Sequence, residues 1–111
     1  GRADDIVKIE EKRISLNEVQ MRCKQHQYVQ DVCVLVIGSK RKHLAAVIEL
    51  NSLGKEVKDT MPLYLFNRLF RSYLAQWFEA VTLPKKFRYP LQLPYNTQGK
   101  LNRQTMESDF E

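Results

Sequence analysis

Val32-Cys33-Val34-Leu35-Val36-Ile37, then Gly38-Ser39-Lys40, then His43-Leu44-Ala45-Ala46-Val47-Ile48-Glu49-Leu50: the fold turns on this stretch. Both runs are continuous, apolar and rich in β-branched residues, and a polar loop containing glycine separates them. The pattern predicts an antiparallel strand pair buried on both faces, or nearly so. His43 begins the second strand beside a basic turn, with no carboxylate or cysteine nearby in sequence. It reads as a surface residue rather than a ligand or base.

Toward the N-terminus, Ser15-Leu16-Asn17-Glu18 is a capping box. It predicts a helix over 16–26 with Leu16, Val19 and Cys23 on one face. Before it, Ile6, Val7, Ile9 and Ile14 flank Glu10-Glu11 in a short hairpin pattern. Glutamates are poor residues for a tight turn, where Gly or Asn is preferred, so Glu10-Glu11 is a local mismatch.

Toward the C-terminus, 51–59 reads as a polar linker containing Gly54. Thr60 can cap a helix over 62–79, with Pro62 in its first turn. Its apolar pairs Leu65-Phe66, Leu69-Phe70, Tyr73-Leu74 and Trp77-Phe78 recur every four residues as one wide stripe, while Arg68, Arg71, Ser72 and Gln76 fall on the other side. The aromatic stripe reads as core rather than as a cofactor box. Phe87 to Leu93 predicts a short edge strand, because Pro90 cannot donate to a ladder. Beyond it, Gly99 permits a positive φ and Lys100 projects from a turn as a point charge. A last helix is expected over 102–110.

The chain has 111 residues, 43% hydrophobic and 28% charged, which fits one globular domain. No apolar run reaches membrane-spanning length, and the first residues show no signal-peptide core. They look like part of a motif, so the chain is expected to be excised from something longer. Cys23 and Cys33 form no CxxC and predict two buried, reduced thiols rather than a disulfide or metal site. The net charge of +5 permits an anionic partner. The clusters Lys40-Arg41-Lys42 and Lys85-Lys86-Phe87-Arg88 are short, and each reads as a solvated loop.

Both ends carry a further signal. Gly1-Arg2-Ala3-Asp4-Asp5-Ile6-Val7-Lys8-Ile9, with Lys12-Arg13-Ile14, resembles the hinge motif of the adenylate-forming superfamily of acyl-CoA synthetases, peptide-synthetase adenylation domains and luciferases. Pro94 to Arg103 resembles that superfamily's catalytic-lysine motif. The two occur in the family's order and rough spacing, and the resemblance covers essentially the whole chain.

The resemblance implies that 1–111 is the mobile C-terminal domain of an AMP-forming acid ligase, with the hinge motif at 1–14 and the lysine loop at 94–103. The large N-terminal adenylation domain is absent. Lys100 matches the catalytic lysine, Gly99 gives its loop freedom, and Asp4 matches the hinge. Arg2 and Arg13 match basic residues near the nucleotide, and Lys8 matches a position where some relatives carry a functional lysine. Read from the residues alone, Lys8 and Arg13 are also cross-strand partners for Glu10 and Glu11. Glu11 stands where relatives usually have Gly, beside the thiol tunnel, and so puts CoA as acceptor in question.

The implied cofactors are ATP and Mg²⁺, bound mainly by the missing domain, with CoA or phosphopantetheine as acceptor. The implied partners are the chain's own adenylation domain and CoA or an acyl carrier protein, in the cytoplasm. The phrasing around Leu83–Arg88 and Pro94–Lys100 looks most like bacterial acyl- or aryl-acid ligases that feed carrier proteins. The expected fold is α+β: an N-terminal hairpin, then a small, roughly three-stranded sheet packed by the two helices. A rival reading is a basic RNA- or protein-binding module without catalysis. The placement of most aromatics on the core stripe argues against it.

Overall fold

A computed structural model describes residues 6–38 and 40–93. Strands β1 (Ile6–Ile9) and β2 (Lys12–Ser15) pair as an antiparallel hairpin. Then come α1 (Leu16–Lys24), β3 (Val29–Ile37), β4 (His43–Leu50), α2 (Ser52–Asp59), α3 (Leu63–Leu74), a 3₁₀ turn (Ala80–Thr82) and β5 (Lys86–Arg88). β4 is the central strand of the second sheet, antiparallel to β3 and parallel to β5. The fold is the expected α+β arrangement. The expected helix over 102–110 lies outside the described residues.

The strand pair sorts its side chains by period two. Val32, Val34, Leu44, Ala46 and Ile48 face the main core with Val19 and Cys23 of α1 and Phe66, Phe70 and Leu74 of α3. Cys33, Leu35, Ala45 and Val47 face the other way and pack with Leu93. Burial on both faces is why the two runs are apolar without interruption. Gly38 turns the chain between them at φ +96, where an added Cβ would lie 2.4 Å from the Arg41 carbonyl oxygen. His43 is half-buried at the start of β4, with Nδ1 3.3 Å from that carbonyl oxygen.

Several expected boundaries move. α1 begins as the capping box predicts, with the Glu18 N–H donating to Ser15 Oγ at 3.2 Å, but it ends at Lys24. His26 lies beyond it and packs against Tyr28, Phe70 and Tyr73. Its Nδ1 accepts the Tyr28 N–H at 3.1 Å, and burial holds its pKa below the usual imidazole value. The segment 51–59 is a helix, not a linker. Asn51 caps it by accepting the Gly54 N–H at 2.8 Å and donates from its amide to the Gln27 carbonyl at 2.7 Å. Thr60 closes this helix instead of opening the next, and Pro62 takes the N-cap position of α3. α3 stops at Leu74, so Trp77 and Phe78 continue the stripe only in sequence.

The outer edge of β3 is filled by side chains. The Val34 N–H donates to Gln20 Oε1 at 2.8 Å and the Val32 N–H to Asp31 Oδ1 at 2.8 Å. Both N–H groups would otherwise be open to an added strand. Gln20→Ala leaves the Val34 donor unpaired in a buried setting, which costs about 1–3 kcal/mol. Urea unfolding should show a lower midpoint at unchanged slope. An unchanged midpoint would mean that water replaces the glutamine without loss.

Candidate functional site

The register of the hairpin puts Lys8 directly opposite Arg13, and Val7 opposite Ile14. Val7, Ile9 and Ile14 turn to the core, so the alternating positions Ile6, Lys8 and Arg13 lie on the outer face and are exposed. Two cations directly opposite each other on a strand pair repel. Lys8 relieves this in part by leaning to Glu11, at 3.4 Å, with both side chains well exposed. Arg13 is not paired with either glutamate among the described ion pairs. It lines a cleft of ≈ 270 Å³ with Ser15, Glu18, Trp77 and Glu79. Lys12 ties the hairpin to the same segment through Glu79, at 3.4 Å. An exposed pair of opposed cations beside a cleft is an arrangement that an anion stabilises.

The mismatch at the turn is visible in the backbone. Glu10 has φ 46 and Glu11 φ 73, and positive values at both central residues are what a two-residue hairpin requires. For a side chain with a Cβ this conformation costs roughly 1–2 kcal/mol. The exposed Lys8–Glu11 pair returns well under 1 kcal/mol. Glu11→Gly is therefore expected to stabilise the protein by about 1 kcal/mol and raise Tm by a few degrees. A lower Tm in differential scanning calorimetry would show that the ion pair outweighs the strain.

A second basic feature emerges only from packing. Arg68 and Arg71 of α3 and Lys85 before β5 line one open groove of ≈ 500 Å³ with Tyr64, Asn67 and Ser72. Among the described residues no carboxylate lines it. The Nε of Arg71 is buried and makes no hydrogen bond. The sequence pattern puts Arg68 and Arg71 on one helix side, while Lys85 falls in a short basic cluster that reads as a loop. The i, i+3 spacing of the arginines was the available signal.

Of the residues singled out from sequence, Lys8, Glu11 and Arg13 come together on the hairpin. Arg2, Asp4, Gly99 and Lys100 lie outside the described residues. Neither thiol is poised for chemistry: both are buried, and burial pushes Cys23 up to about 12. Among the described residues no cluster of His, Cys, Asp and Glu could hold a metal ion. None of their helices is long and apolar enough to cross a membrane.

The geometry defines a small α+β domain that presents cations from a leading hairpin and a helix–strand groove. No family model matches the chain. It is 27% identical over 112 residues to a D-alanine–D-alanyl carrier protein ligase of Staphylococcus haemolyticus, covering 99% of this chain and 22% of that protein. It is 33% identical to a dimodular nonribosomal peptide synthase of Bacillus subtilis, covering 99% of this chain and 4% of that protein. In fold it is similar to apo MatB from Rhodopseudomonas palustris, with TM-score 0.78 and 18% identity over 99% of this chain and 21% of that one. The relatives are adenylate-forming ligases, and the chain matches their C-terminal domain. It spans about a fifth of the length of the carrier protein ligase it matches.

Proposed function

We propose that this chain is the C-terminal, lysine-bearing domain of an ATP-dependent, AMP-forming carboxylic acid ligase that works in the cytoplasm with its own large adenylation domain. In the first half-reaction a carboxylate oxygen bonds to the α-phosphorus of ATP. The bond to pyrophosphate breaks and an acyl-adenylate forms. In the second, a thiolate attacks the acyl carbon and AMP leaves with the bonding electrons. Two anions must approach in the first step, so a cation reaching both lowers the barrier. Lys100 takes that role, Gly99 gives its loop freedom, and Asp4 is the hinge about which the domain turns between half-reactions.

One observation supports this most directly. The hairpin that follows the hinge motif sets Lys8 opposite Arg13 on an exposed face, where a nucleotide phosphate offsets their repulsion. Arg2 precedes them on the same N-terminal segment and joins them in contacting the nucleotide. Mg²⁺, when bound, neutralises charge on the pyrophosphate, but the described residues offer it no ligand set. Its ligands belong to the adenylation domain.

For the acceptor, a carrier-bound phosphopantetheine thiol fits better than CoA. By the resemblance, Glu11 stands where relatives carry a glycine beside the thiol tunnel, and one matched relative is by name a carrier protein ligase. The basic groove of Arg68, Arg71 and Lys85 then receives an anionic part of the incoming acceptor. The test is acid-dependent exchange of pyrophosphate into ATP by the full-length protein, and its loss in Lys100→Ala. A full-length protein that forms no AMP with any amino or aryl acid would overturn the proposal.

A further inference from the structure

If Lys100 acts from a loop, as proposed, the start of that loop must be held. Leu93 is the residue at which the described chain approaches that loop, and Lys100 lies seven residues beyond it. Two contacts fix Leu93. Its side chain is 2% exposed and packs on Cys33, Leu35, Ala45 and Val47, across the sheet from the main core. Its backbone N–H donates to Glu49 Oε1 at 3.1 Å.

Glu49 is out of place by every local criterion. It interrupts the apolar run of β4 and is half-buried. By strand alternation it shares the face of Ala45 and Val47. Its direct cross-strand neighbour is Asp31, another acid. Like charges in opposed positions destabilise a strand pair, and a neutral side chain there would not. Asp31 has its own partners, with Oδ1 accepting the Val32 N–H and lying 3.8 Å from Lys24 Nζ. What Glu49 gains in return is a charge-assisted bond to a backbone donor 44 positions later in the chain.

We infer that Glu49 is a positioning residue for the lysine loop: its carboxylate and the Cys33–Leu35–Ala45–Val47 pocket clamp Leu93 and so fix where the loop begins. The inference rests on the proposed role of Lys100. The physical consequence is one of reach. Seven residues span at most about 25 Å when fully extended, so the position of the root bounds where the ammonium can be delivered. Glu49 touches no reacting atom, and its effect runs through Leu93.

The experiment uses the full-length protein, with D-alanine and a panel of amino and aryl acids as substrates. Glu49→Ala should lower kcat for ATP–pyrophosphate exchange by about tenfold or more, with KM for ATP little changed. Transfer from a supplied acyl-adenylate should be preserved. Glu49→Gln keeps an acceptor oxygen and should restore most of the rate. Hydrogen exchange read by mass spectrometry should show the Leu93 amide protected in the parent and in Glu49→Gln, and open in Glu49→Ala. Gln20→Ala is a control, destabilised elsewhere, and should keep its kcat. An unchanged kcat or an unchanged Leu93 amide in Glu49→Ala, with Lys100→Ala inactive, overturns the clamp and leaves the role of Lys100 standing. Full exchange activity in Lys100→Ala overturns the role of Lys100, and the Leu93 amide still decides whether the clamp exists.

Discussion

Lys100→Ala in the full-length protein is expected to lower acid-dependent ATP–pyrophosphate exchange by about 10²–10³-fold, the scale of removing one preorganised charge from a transition state. Transfer of the acyl group from a supplied acyl-adenylate to the thiol should stay within a few-fold of the parent. The asymmetry follows from charge. Adenylation brings a carboxylate against a polyphosphate and builds further charge on phosphorus, so a removed ammonium is felt most in that transition state. Thiolysis starts from an adenylate whose carboxylate charge is already gone. Lys100→Arg should recover little, because a planar guanidinium does not reproduce a compact point charge on a flexible stem. Quench-flow measurement of each half-reaction separates the two. Equal losses in both would mean that Lys100 supports the fold or the domain rotation rather than the phosphoryl step. This chain alone, spanning about a fifth of the matched carrier protein ligase, should form no adenylate at all.

The legible parts of the fold were those set by local rules. The strand pair could be read because both faces are buried and Gly38 must sit at positive φ between them. α1 could be read because Ser15 and Glu18 carry a complete start signal, and the Ser15 bond forms. α2 is a helix where the sequence pattern points to a linker, and the reason is physical. Gly54 looked like a loop residue, yet it is a packing residue in a helix. A Cβ there would lie 2.4 Å from the Tyr28 carbonyl oxygen, so only glycine lets the helix close on that strand entry. The parallel pairing of β5 with β4, Ala45 against Lys86, depends on a crossover through two helices, and no local pattern encodes it.

The candidate site divides in the same way. Lys8 and Arg13 are not the cross-strand partners of Glu10 and Glu11 that their charges suggest: both glutamates sit in the two-residue turn, and the register sets the cations opposite each other. The strain at Glu11 could be anticipated from turn chemistry alone, and its φ of 73 bears this out. The groove could not be anticipated. Arg71 and Lys85 meet only after α3 packs on the sheet and the chain returns through the 3₁₀ turn. Glu49 is the instructive case. Its charge in an apolar strand was visible, but the donor that explains it lies far along the chain.

The groove carries the second large effect. Reversing two of its cations, as Arg71→Glu with Lys85→Glu, should raise KM for the thiol acceptor by about 10–100-fold, since like charges facing each other at an interface cost several kcal/mol. Exchange of pyrophosphate into ATP should be unaffected, because that half-reaction precedes the acceptor. The sign is set by composition: among the described residues three cations line the groove and no acid does. Arg71 contributes more than an exposed cation would. Its Nε is already desolvated and unpaired, so the cost of burying that donor is present before any ligand arrives. An anion held in the groove gains a charge-assisted bond from the half-exposed guanidinium. Salt provides an independent reading. Parent KM should climb with sodium chloride as screening shortens the range of attraction, while the doubly reversed variant should gain from the same salt. Arg71→Gln alone should give an intermediate KM, since it removes the charge without reversing it. A double variant with unchanged acceptor KM at low salt would move the acceptor off this groove.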